Sequence, residues 1–436
     1  LVKNGATIKA KNNKARLGGG CISISNKGSL VVTGSSTHLL LEHNEAKYGG
    51  AIYMNGGSSL HSKSGATLTA KHNVATHSGG GINIVQSGSF LLSTGSLTRL
   101  VVQNNTAIEG SAGGISVGSG TTLFIDSPET LFLENTAPNG DGGAVAFVAL
   151  DENDDGASSC VSIDLFIKAD YASAYNGKIK VYTEPSSTLA SDDWKELVNE
   201  DGANSGNMTS KWCVPCGEYT LNVGTNVEGK HFGSEGRARL TLSNRPETVL
   251  AETTEVRTSF LARVPFKLDC ADQGVAISNA RFESNRAKKG GALGMHTRRK
   301  NSLFDISSST FVNNSATQKG GCAYLSGPNS GMRIKHSSFE SNHAETSGGG
   351  VVVEDQAGLQ MQDVTAKDNS ANNGEGGFLF ARFSAPILVQ NSSIVGSRSG
   401  QSGGAMAVYA SSIGLDGTTI ENSLSKGGAG GGALLL

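Results

Sequence analysis

Short runs of apolar residues alternate with clusters of glycine, serine and asparagine along most of the chain. Residues 50–54, 59–61 and 67–70 are three such runs within a single repeat. The apolar positions show no helical period. Short runs bounded by turn-forming residues are typical of β-strands. The pattern therefore predicts an all-β chain built from many short strands.

A sequence motif recurs together with these runs. It consists of Asn-x-Ala, followed a few residues later by a glycine pair and an apolar residue, as in residues 41–52 and 282–293. Apart from one long gap, its asparagine returns every 25 to 32 residues, which gives eleven repeats in blocks of five and six. The repeat asparagines are Asn13, Asn44, Asn73, Asn105, Asn135, Asn285, Asn314, Asn342, Asn369 and Asn422, with Ser397 in the place of one. A period of this length predicts a solenoid.

Three strands and three turns in each repeat fit one coil of a parallel β-helix. A single coil cannot bury its inner face alone, so the coils must stack on one another. We therefore predict about eleven coils with three strands per coil. Asparagine tolerates a left-handed turn, and stacked asparagines can pair their amides as a ladder. Four phenylalanines share one repeat position and are expected to stack in the core: Phe132, Phe282, Phe311 and Phe339.

The repeats also carry a resemblance to a known family. Phe-x-x-Asn occurs strictly at Phe132, Phe282, Phe311 and Phe339, and Gly-Gly-Ala-(Ile/Leu/Val) recurs beside it. These tetrapeptides resemble the repeats of the chlamydial polymorphic outer membrane proteins, over residues 1–150 and 275–436. The resemblance implies a right-handed parallel β-helix and a location at the cell surface. It implies a fold and a place rather than an enzymatic activity.

The repeat is interrupted between residues 151 and 272. Alternating runs at residues 161–167, 178–182 and 219–223 predict antiparallel strands there. We expect coils 1–5 in residues 1–150, an inserted antiparallel β-sandwich-like domain in 151–272, and coils 6–11 in 273–436. Four aromatic residues of the insertion could act as stacking platforms for sugars, although filling of the domain core is the simpler interpretation of the tryptophans: Trp194, Trp212, Tyr175 and Tyr182.

Four of the six cysteines lie in the insertion: Cys160, Cys213, Cys216 and Cys270. A disulfide between Cys213 and Cys216 is the preferred interpretation of that Cys-x-x-Cys, because a zinc site would need a second pair of ligands. A bridge between Cys160 and Cys270 would close the neck of the insertion, and cross-pairing among the four is equally compatible with the sequence. Cys21 and Cys322 follow glycine pairs and are interpreted as small buried residues.

An acidic segment at the start of the insertion resembles the opening of a calcium-binding loop. Asp151, Asn153 and Asp155 offer oxygen ligands at positions 1, 3 and 5, with Gly156 at position 6. Position 12 is Ser162 rather than glutamate, so a solvated acidic hinge is the competing interpretation. Calcium is thus the only cofactor that the sequence suggests, and otherwise we expect none.

Cysteine-rich insertions favour an oxidising, extracellular setting. Four Asn-x-Ser/Thr tripeptides are candidate glycosylation sites in a eukaryotic secretory pathway: Asn104, Asn207, Asn313 and Asn391. Such tripeptides also arise by chance in a chain rich in asparagine and serine. They therefore agree with the expected compartment without establishing it.

Charge and candidate chemistry narrow the function classes. The net charge of −2 gives no basic surface for nucleic acid, and no apolar run reaches the 18 residues of a membrane span. Carboxylates of the repeats do not recur in register, so we expect no enzyme. His43 and His72 precede the repeat asparagine in adjacent coils and are expected to stack, with a solvent-facing turn favoured over a metal pair.

Together these observations predict a non-enzymatic extracellular structural or adhesive repeat protein, as a segment or subunit of a cell-surface fibre or filament. Strand-like sequence continues to both ends, so we expect either a longer native chain or end-to-end stacking of copies. The expected partners are copies of the chain or neighbouring fibre subunits, and surface glycans. The alternatives are a carbohydrate-binding surface protein and a polysaccharide lyase or hydrolase.

Overall fold

The structure, a computed structural model, describes residues 1–86, 88–149, 274–297, 302–328, 330–427 and 430–436, together with eight strands between residues 160 and 268. These residues form strands, turns and bends, and none of them forms a helix. The chain divides into two compact units, one comprising Leu1–Gly156 and Gln273–Leu436 and the other Ala157–Asp272.

The first unit is a β-solenoid of three parallel sheets, which confirms the predicted fold class. Sheet 1 contains eleven strands that pair in sequence order. Inward and outward residues alternate along each strand, as in Ile52–Met54, where Ile52 and Met54 are fully buried and Tyr53 lies outside. The strands of sheet 1 are Ile22–Ile24, Ile52–Met54, Ile82–Ile84, Ile115–Gly118, Val145–Ala149, Leu293–Thr297, Ala323–Ser326, Val351–Glu354, Leu379–Arg382, Met406–Tyr409 and Leu434–Leu435.

Sheet 2 contains nineteen strands because a turn divides the strand of most coils into two. Two strands run through both halves, namely Thr122–Leu133 and Gly274–Glu283. The first halves are Ser29–Thr33, Ser59–Lys63, Phe90–Thr94, Leu303–Ser307, Gly331–Lys335, Gly358–Gln362, Ile387–Gln390 and Ile413–Asp416. The second halves are Thr7–Lys11, His38–Glu42, Thr67–Lys71, Arg99–Gln103, Thr310–Val312, Ser338–Glu340, Thr365–Lys367, Ser393–Val395 and Thr419–Glu421.

Sheet 3 contains ten strands and follows the repeat asparagine in each coil. Its strands are Glu45–Tyr48, Val74–Ser78, Thr106–Ala107, Thr136–Asp141, Arg286–Lys289, Ser315–Ala316, His343–Ala344, Ser370–Ala371, Arg398–Ser399 and Leu424–Ser425. Several have only two residues, which is why the apolar pattern of the sequence did not reveal them.

The turn inside sheet 2 is longer in the first block than in the second. Residues 34–37 and 95–98 separate the two half-strands in early coils, whereas residues 308–309 and 336–337 do so in later coils. Both longer turns have the sequence Gly-Ser-x-Thr, and glycine and serine suit turns. The second half-strand also shortens, from five residues in His38–Glu42 to three in Thr310–Val312, so the turn and the strand both differ between the blocks.

The glycine pair forms the corner between sheets 3 and 1. Gly49 has φ of 61°, a left-handed conformation that favours glycine. A Cβ atom on Gly50 would lie 2.2 Å from the carbonyl oxygen of Gly80 in the next coil. The first glycine therefore supplies the turn and the second allows the close approach of neighbouring backbones.

The second unit contains two four-stranded antiparallel sheets. One has the strand order Asn207–Pro215, Cys160–Lys168, Arg237–Leu242, Arg245–Thr253, and the other Lys195–Glu200, Ile179–Pro185, Gly217–Thr225, Ala262–Leu268. Antiparallel strands thus occur where the sequence predicted them. The packing of the two sheets as a sandwich stays a prediction.

Candidate functional site

The repeat asparagines form a continuous ladder through the solenoid. From Asn13 to Asn369, the Nδ2 of each asparagine donates to the Oδ1 of the next at 2.9–3.0 Å. The same Oδ1 also accepts the backbone N–H of the preceding asparagine, as Asn314 does from Asn285 at 3.0 Å. The second Nδ2 hydrogen goes to a carbonyl of the preceding coil, from Asn314 to Phe282 at 3.0 Å. From Asn44 to Asn342, where the amides are buried, every hydrogen-bonding group of the side chain is therefore used.

The ladder ends at Asn369, and the assignment of Asn422 to it is wrong. Strand pairing aligns Arg398 with Leu424, so the residue that follows Ser397 in the column is Ser423. Asn422 instead has φ of 51° and an exposed side chain, and it lies one position earlier, at the turn. The physical reason is that both positions of this turn accept asparagine, one for its left-handed backbone and the other for its amide. Sequence spacing could not separate them.

The predicted phenylalanine stack is confirmed. Phe132, Phe282, Phe311 and Phe339 lie with successive ring centroids 4.6–4.7 Å apart and nearly parallel planes. The next position of the column is Ala366, and Phe378 from the glycine corner packs edge-on against Phe339. The core thus stays filled where the column loses its aromatic ring.

Several predicted site residues lie outside the described part of the chain. The candidate calcium ligands Asp151, Asn153 and Asp155 belong to this group. So do the side chains of the four insertion cysteines and of the candidate sugar-stacking aromatics, which are Cys160, Cys213, Cys216, Cys270, Trp194, Trp212, Tyr175 and Tyr182. The calcium, disulfide and sugar-stacking assignments therefore stay predictions.

The two cysteines of the solenoid are both free thiols. Cys322 is fully buried, as predicted, and burial raises the pKa of its thiol. Cys21 is only half-buried. Both occupy the small site after the glycine pair, which favours packing over reactivity.

Three of the glycosylation candidates lie on turns of the solenoid. Asn313 and Asn391 are exposed, and Asn104 is half-buried. All three have φ between 46° and 53°, so they occupy left-handed positions of the turns. Asn104 and Asn313 directly precede ladder asparagines, which are buried. The fourth candidate, Asn207, lies in a strand whose side chains are not described.

A buried apolar seam lies on the outer face of sheet 1, separate from the interior core. It consists of Tyr324, Val352, Phe380 and Ala407, which follow one another in strand register. Each points away from the solenoid interior, because its strand neighbours on both sides belong to the interior core. An outward apolar column of this kind must be covered to be as deeply buried as it is.

Charged side chains cover this seam. Lys319 Nζ lies 2.5 Å from Glu354 Oε1, and the Tyr324 hydroxyl donates to Glu354 Oε2 at 3.2 Å. Lys289 Nζ donates to the Tyr324 hydroxyl at 3.2 Å and lies 4.5 Å from its ring centroid. Burial, and then the charge of Glu354, raise the pKa of Tyr324. The tyrosine therefore stays neutral, and the cluster acts as a clamp across neighbouring coils.

A second clamp of the same design lies further along the seam. The Tyr409 hydroxyl donates to Glu375 Oε1. Burial, and then this hydrogen bond, raise the pKa of Tyr409 to about 12. Sequence reasoning missed both clamps. The signal was present, since Lys289, Lys319 and Glu375 all directly precede a glycine pair.

Asp141 occupies the corresponding position one coil before Lys289, with which it pairs in the backbone register. A Cβ atom on Gly294 would lie 2.9 Å from the Cβ of Asp141, so the glycine makes room for the acid. Burial raises the pKa of Asp141, and the charges of Lys289 and His296 oppose that shift in part.

The outward side chains of sheet 2 differ between the two blocks. Before the insertion they include Leu92, Phe124 and Leu131, whose neighbours Leu91, Leu123 and Phe132 fill the interior. After it, the corresponding column carries Asp305 and Arg333, whose charged atoms are 2.6 Å apart. This column therefore changes from apolar side chains at Leu92 and Phe124 to an ion pair at Asp305 and Arg333.

Within the described residues, no three or more histidine, cysteine, aspartate or glutamate side chains are grouped so as to hold a metal ion. Nor does any described helix have the length and apolarity to cross a membrane. Comparison of the chain with protein-family models, with curated proteins and with solved structures gave no match.

Proposed function

We propose that this chain is a non-enzymatic structural and adhesive repeat protein, exposed at the cell surface as part of a fibre. The observation that carries the proposal is the asparagine ladder. Eight amide pairs, each donated by an asparagine to its neighbour one coil further on, connect the coils from Asn13 to Asn369. The recurring asparagines therefore serve to join each coil to the next, which is what a scaffold requires.

Two further features support the scaffold function. The clusters of titratable groups on sheet 1 satisfy one another, as in the contacts of Lys319 and Tyr324 with Glu354. The resemblance of the repeats to the polymorphic outer membrane proteins supports the same location.

The location is tested with antibodies raised against the purified chain. We expect them to label intact producing cells as strongly as permeabilised ones. Labelling only after permeabilisation would overturn the surface location. Immunogold electron microscopy on the same cells then distinguishes label along fibres, which the proposal expects, from label scattered over the cell envelope.

Adhesion is tested with beads coated with the folded protein or with the same protein after heat denaturation. The proposal expects that beads with the folded coat are retained on a cell layer and that beads with the denatured coat are not.

Enzymatic activity is tested by incubation of the protein with a panel of acidic and neutral polysaccharides. Release of unsaturated products or reducing ends would contradict a non-enzymatic function, and competition by a soluble polysaccharide would identify a glycan as the partner.

A further inference from the structure

His43 and His72 lie on adjacent coils with their imidazole rings stacked. The ring centroids are 4.9 Å apart and the planes differ by 5°, so the predicted stacking is confirmed. Both residues have left-handed backbones, with φ of 54° and 53°, and both side chains are exposed. The same turn therefore projects both rings into solvent in the same direction.

The backbone beneath the two rings is fixed from both sides. Each histidine is followed by a ladder asparagine, and Asn44 donates to Asn73 at 3.0 Å. Each is preceded by a charged residue, and Lys71 Nζ lies 2.5 Å from the buried Glu42. The backbone N–H groups of His43 and His72 also donate to the carbonyl oxygens of Lys71 and Gln103 in the following coil, at 3.2 and 3.0 Å. Two donor side chains held at a fixed separation lose little entropy when they bind one ion.

Charged and polar groups surround the histidine pair. Burial, and then the charges of His43 and Lys71, lower the pKa of His72, whereas Glu134 opposes this shift. The other charged groups on these strands, Lys11 and Glu42, are paired with each other. The neighbouring positions of the same column hold Asn12 and Asn104, which share the left-handed backbone of the pair.

We propose that His43 and His72 together bind one divalent transition-metal ion, with copper(II) preferred over nickel(II) and zinc(II). Two metal–nitrogen bonds of about 2.0–2.1 Å span at most ~4.2 Å, so each imidazole has to rotate out of the stack until its nitrogen lone pair points at the ion. Both side chains are exposed, which leaves them free to do so. Imidazole ligands suit these ions, and copper(II) binds such sites most tightly. Water would complete the coordination. The bound ion would join two coils of the solenoid.

The test uses the full chain titrated with copper(II) chloride in a buffer that does not coordinate metals. The variants are His43→Asn, His72→Asn and the double substitution. Asparagine is the matched replacement, because Asn12 and Asn104 already occupy the same left-handed turn in neighbouring coils. His336→Asn is the control, since His336 is exposed, has φ of 48° and lies 3.4 Å from Asp363 instead of a second histidine.

We expect one copper site in the wild type, a loss of affinity of about tenfold or more in each single variant, and no change in His336→Asn. The copper EPR spectrum should show two equivalent nitrogens, which become one in a single variant. Equal affinity in the wild type and the double variant would overturn the proposal, as would loss of the site in His336→Asn.

Discussion

Asn135 and Asn285 are 150 residues apart in the chain, yet the Nδ2 of Asn135 donates to the Oδ1 of Asn285 at 3.0 Å. Phe132 and Phe282 stack over the same gap with ring centroids 4.7 Å apart and planes 3° apart. Strand pairing also continues there, from Val145 opposite Leu293 onward. The solenoid therefore resumes after the insertion in the register of the next coil.

This continuity predicts that the insertion can be removed without loss of the solenoid. In other coils, three to five residues connect a strand of sheet 1 to the next strand of sheet 2, as between Ala323–Ser326 and Gly331–Lys335. A variant that lacks residues 151–272 and carries a turn of similar length should give the β-sheet circular dichroism of a folded solenoid. It should also unfold cooperatively.

The matching control deletes residues 306–332, which is one residue fewer than the interval between the paired positions Asp305 and Arg333, so the strand after the junction is shifted by a single residue. That variant should lose cooperative unfolding, because a shift of one residue turns inward side chains outward. If both deletions unfold alike, or if the first variant is not folded, the continuity across the insertion does not arise from the solenoid alone.

The ladder predicts opposite outcomes for two adjacent asparagines. Asn314 is fully buried, whereas Asn313 is exposed at the left-handed turn. Asn314→Ser leaves buried donors of Asn285 without an acceptor and should lower the free energy of unfolding by about 2–4 kcal/mol. Asn313→Ser should change it by less than ~0.5 kcal/mol, because Ser284 and Ser341 occupy that turn in neighbouring coils.

Chemical denaturation of the two variants at equal concentration measures this difference. The same substitution in neighbouring positions removes any general effect of asparagine-to-serine replacement. A similar loss in both variants would contradict the ladder as the source of stability.

The sequence predicted the interior of the solenoid better than its exterior. Phe282 and Asn285 must repeat at a fixed interval, because each contacts its own counterpart in the next coil, and that constraint is visible as periodicity. Outward residues have no such constraint. Lys289 and Glu354 both contact Tyr324 from neighbouring coils, and no two of the three share a repeat position. The charged residues before the glycine pairs do recur, but a search for repeats does not show which residue of another repeat position each of them contacts.

Ser397 provides a test of whether the ladder can be extended. Its side chain is fully buried in the ladder column, and its hydroxyl has no hydrogen-bond partner. In Ser397→Asn, the new Oδ1 would accept from Asn369 as the other ladder residues do. We expect a gain of about 1–2 kcal/mol in the free energy of unfolding.

The measurement is the denaturation midpoint of Ser397→Asn against the wild type. Ser423→Asn is a suitable comparison, because Ser423 occupies the next position of the same column but is only half-buried. Its gain should be the smaller of the two. A loss of stability in Ser397→Asn would show that the column has closed around the smaller side chain.

Asp141 predicts a pH dependence of stability. Burial raises the pKa of this carboxyl group in the folded protein above its unfolded value of about 3.9. A raised pKa favours folding while the group is protonated, and that contribution is lost as the pH rises through the folded-state pKa. At pH 7 the charged Asp141 therefore opposes folding.

Asp141→Asn should raise the thermal midpoint at pH 7, and the gain should vanish as the pH falls below about 4. Asp416→Asn, which changes an exposed carboxyl group, is the control and should show no such gain at pH 7. A lower midpoint for Asp141→Asn at pH 7 would mean that the attraction of Lys289 outweighs the cost of burial.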